Sequence, residues 1–302
     1  VPTLGQSSPR DTMFAVVNGA RGDSLRGAYT GFAKFLPADA DPTVAACSFD
    51  TDGCTDPDDI NTEHAWPQSR GSGQEPARSN MHILFPTRAD VNSARFTFPY
   101  GDVTDAEADE WFIRDEPPRS TPPATNRGAW SRVDDDASRF EPRDAVKGDI
   151  ARAMFYFATV YPDRANESFF ESQKTTLFQW HQDDPVDAAE ARRNVLQAAY
   201  QGNKLNPFVV DPTLVRRAFG ALTPPPGLSA TAGETSVQLD WSAPRSGFVS
   251  GYNVYRATAP FDAPGAAEQL NDDPLTTTAF TDTEVTIGTQ YVYRVSTVDV
   301  DG

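Results

Sequence analysis

At 302 residues the chain is long enough for one large domain or two ordinary ones, and 38% apolar residues suffice for a packed core. No run of 18 apolar residues occurs, so the sequence offers no helix that would cross a membrane. The net charge of −17 disfavours a general attraction to phosphates, yet it is unevenly spread. Residues 224–302 hold ten acids against three bases. Residues 60–101 hold Arg70, Arg78, Arg88 and Arg95 against only Glu63, Glu75 and Asp90.

In chain order, Val1 follows no basic-then-apolar leader, which reads as a chain already processed. Ser8-Pro9 predicts a helix start running towards Asn18-Gly19. Residues 20–60 are irregular and rich in Asp, Gly and Pro. Within them, Cys47 and Cys54 have a spacing that fits no zinc site. A local disulfide and an oxidising compartment are the favoured reading, with two free thiols the alternative. Asp50–Asp59 contains five aspartates in ten residues but lacks the EF-hand order, since no glutamate closes a twelve-residue loop. A solvated acidic loop is favoured there, with a Ca²⁺ site of another kind left open.

Met81–Phe85 predicts a short strand, and Thr87 with Asp90 three residues on predicts a capped helix start. Glu141–Tyr161 is the strongest helical pattern, opened by Pro142 and stopped by Pro162. Further helices are expected near Ser172–His181, Val186–Tyr200 and Pro212–Phe219. Pro224-Pro225-Pro226-Gly227 then marks a linker. Beyond it Gln238–Trp241, Tyr252–Arg256, Phe280–Thr281 and Gln290–Val298 alternate with period two and spell a small β-sandwich. The expected domains are therefore 1–223, an α+β unit, and 224–302, all β.

Only three histidines occur, His64, His82 and His181. Two fall in the arginine-bearing segment, within Asn61-Thr-Glu63-His64-Ala-Trp66-Pro67-Gln68-Ser69-Arg70 and Asn80-Met-His82-Ile-Leu-Phe85-Pro86. Cutting a phosphodiester needs a base near neutrality and a cation to balance transition-state charge. His64 could be the base. Glu63 and the amide oxygen of Asn92 offer the one or two hard oxygens that Mg²⁺ takes from a protein. Alone, however, the Glu-His pair reads first as a surface carboxylate beside a partly buried histidine. A regular strand would also turn the two side chains to opposite faces, so both can serve one site only at a strand end or distortion.

The ordered motifs add what residue chemistry does not. Glu63-His64-Ala-Trp66-Pro67-Gln68-Ser69 closely resembles the hallmark of the bacterial endonuclease I family. So do His82-Ile-Leu-Phe85-Pro86-Thr87 with Val91-Asn92-Ser93-Ala-Arg95, and Lys147-Gly148-Asp149-Ile150-Ala151-Arg152. Gln179-Trp180-His181 with Asp184-Pro185, and Gln201-Gly202-Asn203 with Asn206-Pro207-Phe208, complete the series in family order. The resemblance implies a ββα-metal nuclease that is secreted or periplasmic, with Mg²⁺ as cofactor and Mn²⁺ or another divalent ion able to substitute. His64 is implied as general base and Glu63 and Asn92 as metal ligands. The implied substrate is DNA, and by extension RNA, cut with weak sequence preference to 5′-phosphate ends.

Arg95 is then expected either to contact phosphate or to pair with Asp90 or Asp102. Arg70, Arg78 and His82 are candidate substrate contacts, with a bracing role the alternative for His82, and His181 is expected to be structural. Asn80, Ile83 and Leu205 depart from the family pattern and touch second-order details only. In the tail, Trp241, Tyr252–Arg256 and Tyr291–Val295 resemble a fibronectin type III module, an immunoglobulin-like sandwich with Tyr291 as its tyrosine corner and its last strand beyond Gly302. Its partner is not legible. The competing reading is a catalytically inert nuclease-like protein that adheres through this tail, which the joint presence of Glu63, His64 and Asn92 disfavours.

Overall fold

The computed structural model describes residues 10–20, 24–37, 40–47, 56, 58–244, 246–258 and 267–300. The chain divides into two compact units, Val1–Leu214 and Val215–Gly302. The expected helix start at Ser8-Pro9 lies outside the described residues. Thr12–Val17 is a helical turn of the π type that buries Met13, Phe14 and Val17.

The first unit is organised around two adjoining strands, β4 (Ile60–His64) and β5 (Leu84–Arg88), followed directly by a helix over Ala89–Arg95. The strands are antiparallel, with Glu63 opposite Phe85 and His64 opposite Leu84. Met81–Ile83, expected as part of a strand, is a 3₁₀ turn, because the Asn80 side chain accepts from the His82 amide at 3.1 Å and caps it. Thr87 does not cap the following helix. The β4–β5 ladder runs on through Ile60 opposite Arg88, so the helix starts only at Ala89. Arg88, at the junction, is fully buried and forks onto Asp90 at 2.6 and 2.7 Å.

Behind this motif lies the Lys147–Val160 helix, which buries Ile150, Met154, Phe155 and Phe157. The expected start at Glu141 is too early. Glu141 ends strand β8 (Arg139–Glu141), where its carboxylate pairs with Arg132 and Lys147 and accepts from the Val103 amide, and tertiary pairing overrides the local helical pattern. Gly148 has to be glycine, since a Cβ there would lie 2.0 Å from the Asp184 carbonyl oxygen. Arg152 crosses from this helix to Glu190 in a bidentate pair at 2.8 and 2.6 Å, tying in the Ala188–Tyr200 helix. Trp66, just past β4, stacks on Phe157 with centroids 4.4 Å apart and so fixes the end of β4 to the core. The helix expected near Ser172–His181 is Lys174–Asp183, and a short helix the sequence did not mark, Glu167–Glu171, precedes it.

The second unit holds two three-stranded antiparallel sheets. One orders Ala279–Asp282, Val237–Asp240 and Ser229–Ala232, and the other Glu268–Gln269, Val249–Ala257 and Val292–Asp299. Leu239, Trp241, Tyr252, Val254 and Val295 form the core. The Tyr291 hydroxyl accepts from the Thr286 amide at 3.1 Å, five residues upstream, as a tyrosine corner does. The molecule is thus an α+β unit followed by an immunoglobulin-like β-sandwich.

Candidate active site

The β4 alternation sorts the candidate residues onto two faces. Asn61 and Glu63 lie beneath the Ala89–Arg95 helix. There the Asn92 side-chain amide donates to Asn61 Oδ1 at 2.7 Å, and Arg95 Nη1 sits 3.2 Å from Glu63 Oε1. Thr62 and His64 line a small cleft with Arg10, Gln68, Glu75 and Arg78. Because His64 is the last residue of β4, the two faces meet at a strand end.

Glu63 is 3% exposed. Its Oε1 accepts from the Tyr29 hydroxyl at 2.7 Å, which in turn accepts from the Tyr100 hydroxyl at 2.8 Å, besides the Arg95 contact. Burial raises its carboxyl above the ordinary range, while Arg95 and the tyrosine hydroxyls oppose the rise. The Tyr29 hydroxyl and Arg95 both act on this one oxygen and favour its ionised form. They also leave Oε2 as the oxygen that could face a cation. Asn92 is oriented to the same end: its NH₂ is held by Asn61, so Oδ1 is the atom left to ligate. One carboxylate and one amide oxygen are hard donors of the kind Mg²⁺ or Mn²⁺ takes from a protein, and the residues present fit such an ion.

His64 Nε2 donates to the Arg78 carbonyl at 2.9 Å, which places the ring proton on Nε2 and leaves Nδ1 as the basic nitrogen, 3.5 Å from the Gln68 amide. Burial lowers its pKa to about 4, the Arg78 carbonyl opposes the fall, and the charges of Arg10, Arg78 and Arg95 add to it. The imidazole is therefore neutral over the physiological range.

The other candidates are distributed differently from expectation. Arg95 is 1% exposed. It pairs with neither Asp90, which is bound by Arg88, nor Asp102, which accepts from Trp180 Nε1 at 2.8 Å. Instead it braces Glu63, donates to the Ala65 carbonyl at 2.9 Å and lies 4.7 Å over the Tyr100 ring, so in this structure it reaches no surface. His82 is likewise buried, with Nδ1 3.0 Å from Gln197 Oε1 and Nε2 2.7 Å from the Lys204 carbonyl; that position braces β5 against the Ala188–Tyr200 helix and offers nothing to substrate. His181 packs at the Pro212 carbonyl and Arg152. Arg70 is exposed over the Phe169 ring at 5.5 Å.

Arg78 lines the His64 cleft. So does Arg10, which sequence reasoning missed. Nothing local marks Arg10: it lies 54 residues before His64 and reaches it only through the fold. Asn80, in place of the family's aspartate, donates to the Tyr156 and Tyr161 hydroxyls at 3.0 and 2.8 Å. Cys47 is buried at the end of the Pro42–Ala46 helix, and Cys54 lies outside the described residues.

The sequence pattern of the endonuclease I family matches residues 29–213, and that of the fibronectin type III domain matches residues 223–302. The chain is 32% identical over 173 residues to an extracellular ribonuclease of Bacillus subtilis (strain 168), covering 51% of this chain and 52% of that protein. The extracellular ribonuclease of Bacillus amyloliquefaciens is 32% identical over 170 residues with the same coverage. The chain thus spans about half the length of these curated relatives. A solved Fn3-like protein from Clostridium thermocellum is 34% identical, covering 27% of this chain and 80% of that one, at a TM-score of 0.24. The match to residues 29–213 takes in more than half of the chain and includes Glu63, His64 and Asn92, and the chain belongs to the endonuclease I family.

Proposed function

We propose that the chain is a divalent-metal-dependent endonuclease that hydrolyses phosphodiester bonds of RNA and DNA outside the cell, with weak sequence preference and 5′-phosphate products. The observation that carries this reading is the end of β4. There a neutral histidine, with its Nε2 committed to the Arg78 carbonyl, adjoins a buried carboxylate held under an oriented asparagine. The names of the two Bacillus relatives support RNA as a substrate and secretion as the destination, and the family implies a divalent cation.

In this mechanism Glu63 and Asn92 hold the cation, which when bound neutralises charge developing on the phosphate. His64 Nδ1 takes the proton of the water that attacks phosphorus, a task for which its neutral state prepares it, while the P–O3′ bond breaks and the departing 3′ oxygen takes a proton from a second water. Arg10 and Arg78, at the same cleft, supply cationic grip on the phosphate. Arg95 and Tyr29 act on the reaction only through Glu63, which they position. Contacts of this kind go to the backbone of the nucleic acid and carry no base information. The fibronectin-like module, proposed as residues 224–302 after a nuclease domain of 1–223, serves as a spacer or adhesion unit.

The test is degradation of plasmid DNA and of a defined RNA with and without excess chelator, followed by addition of Mg²⁺ or Mn²⁺. Loss on chelation and recovery on addition support the reading. Undiminished cleavage in chelator would rule out the metal, and no cleavage under any condition would favour the inert adhesion protein.

A further inference from the structure

Just upstream of β4, Asp56, Asp58 and Asp59 bring one carboxylate oxygen each within 4.8 Å of one another. Two oxygens each about 2.4 Å from a shared Ca²⁺ can be no further apart than about 4.8 Å, so this spacing brings the three within reach of one ion. Acidic surface loops often gather carboxylates without holding anything, and Asp56 and Asp58 are exposed.

Asp59 differs. It is 1% exposed; its Oδ1 takes Lys34 Nζ at 3.0 Å, while its Oδ2 is buried with no hydrogen-bond partner. A buried carboxylate oxygen left without a donor costs stability, and native proteins rarely leave one so. Lys34 offsets one of the three negative charges, so the cluster keeps a surplus that a divalent ion would balance. Asp59 is also a junction residue. It immediately precedes β4, and its carbonyl accepts from the amide of Ala89, the first residue of the helix that carries Asn92, at 2.8 Å.

We propose that Asp56, Asp58 and Asp59 form a structural Ca²⁺ site, separate from the Glu63–Asn92 pair, that pins the start of β4 to the start of the Ala89–Arg95 helix. The donors are hard oxygens from a short, partly exposed segment, which suits a weak site with Kd of about 10⁻⁴–10⁻³ M, the range of extracellular modules. Mg²⁺ prefers oxygens at about 2.0–2.1 Å in a strict octahedron and gives up its water reluctantly, so three carboxylates on one short segment suit it less well.

Full-length protein stripped with chelator and dialysed would be melted over a CaCl₂ series. At 10 mM Ca²⁺ the melting temperature should rise by about 5 °C, the scale expected for an ion at ten to a hundred times its Kd in a unit of this size. Asp56→Asn/Asp58→Asn, both at exposed positions, should keep the fold by circular dichroism and lose the rise. Asp59→Asn should lose it as well. Glu63→Gln should keep it, because the ion does not depend on the catalytic carboxylate. Four results would overturn the proposal: no rise in the wild-type protein, a rise that survives Asp56→Asn/Asp58→Asn, a rise abolished by Glu63→Gln, or an equal rise with Mg²⁺ in Glu63→Gln, where the catalytic ligand is gone. The readout is stability, so its failure leaves the nuclease reading untouched, and the reverse holds too.

Discussion

Replacing Arg95 with Met keeps roughly the volume of the side chain and removes its charge. In the structure that charge lies 3.2 Å from Glu63 Oε1, with both side chains nearly free of solvent. At an effective dielectric of about 20, unit charges at that separation attract by roughly 5 kcal/mol. Breaking one side of such a buried pair typically costs about 3–5 kcal/mol, because the remaining charge is left uncompensated. Loss of the bond to the Ala65 carbonyl and of the contact with Tyr100 acts in the same direction.

In a unit of about 200 residues each kcal/mol moves the melting temperature by about 2–4 °C, so Arg95→Met should melt roughly 6–20 °C below wild type at pH 7. The sign with pH follows from Glu63. Burial already raises its pKa, and without Arg95 the rise is larger. A carboxylate whose folded pKa is raised destabilises as pH climbs above its unfolded value, so the gap between variant and wild type should narrow near pH 4. Adding Glu63→Gln to Arg95→Met should recover part of the loss, since the orphaned charge goes with it. Cleavage by the single variant should need more Mg²⁺, with substrate KM little changed. Melts at several pH values and metal titrations of activity would decide. A variant that melts within about 2 °C of wild type but shows a raised substrate KM would refute the bracing role and return Arg95 to the phosphate.

His64→Ala should lower turnover by about 10²–10⁴-fold with metal binding nearly unchanged by calorimetry, and retention of more than about a tenth of wild-type turnover would remove His64 as base. The acid limb of kcat/KM should lie well below 6.5, because the active species is neutral His64 and burial lowers its pKa to about 4, so activity falls only as pH drops towards that value; a limb at pH 6.5–7 would contradict it. Truncation after Pro224 should leave cleavage of free nucleic acid nearly unchanged, and a large loss with the fold intact would show that the second domain takes part. A Cys47–Cys54 disulfide should block alkylation without reductant and add about 2–2.5 kcal/mol on the chain-entropy model; two labelled thiols by intact mass would disprove it.

Much of the molecule was legible in the sequence because it is written in short-range patterns. Period-two alternation and turn residues located four strands of the second domain but not Ser229–Ala232 or Glu268–Gln269, and the strongly periodic run ending at Pro162 located the central helix. The ordered motifs around Glu63, His64 and Asn92 identified the family and predicted the strand–strand–helix order. The chemistry those three residues can perform also follows from their types alone.

What only the tertiary structure decided is who faces whom across long separations. Local rules place helix starts at Glu141 and Thr87, yet both sit in strands, because ladder partners and buried ion pairs outweigh a propensity worth a fraction of about a kcal/mol. Arg95 had two plausible acids nearby in sequence. It took a third, on the neighbouring strand, because Asp90 was claimed by Arg88 and Asp102 by Trp180. Arg10 enters the His64 cleft from far upstream. Of the five aspartates between 50 and 59, Asp59 is shown to be buried, with an oxygen left over. Spacing along the chain fixes which face a side chain takes on its own element. Which charge meets it there is set by the competition among all charges buried together, and that competition exists only once the elements are packed.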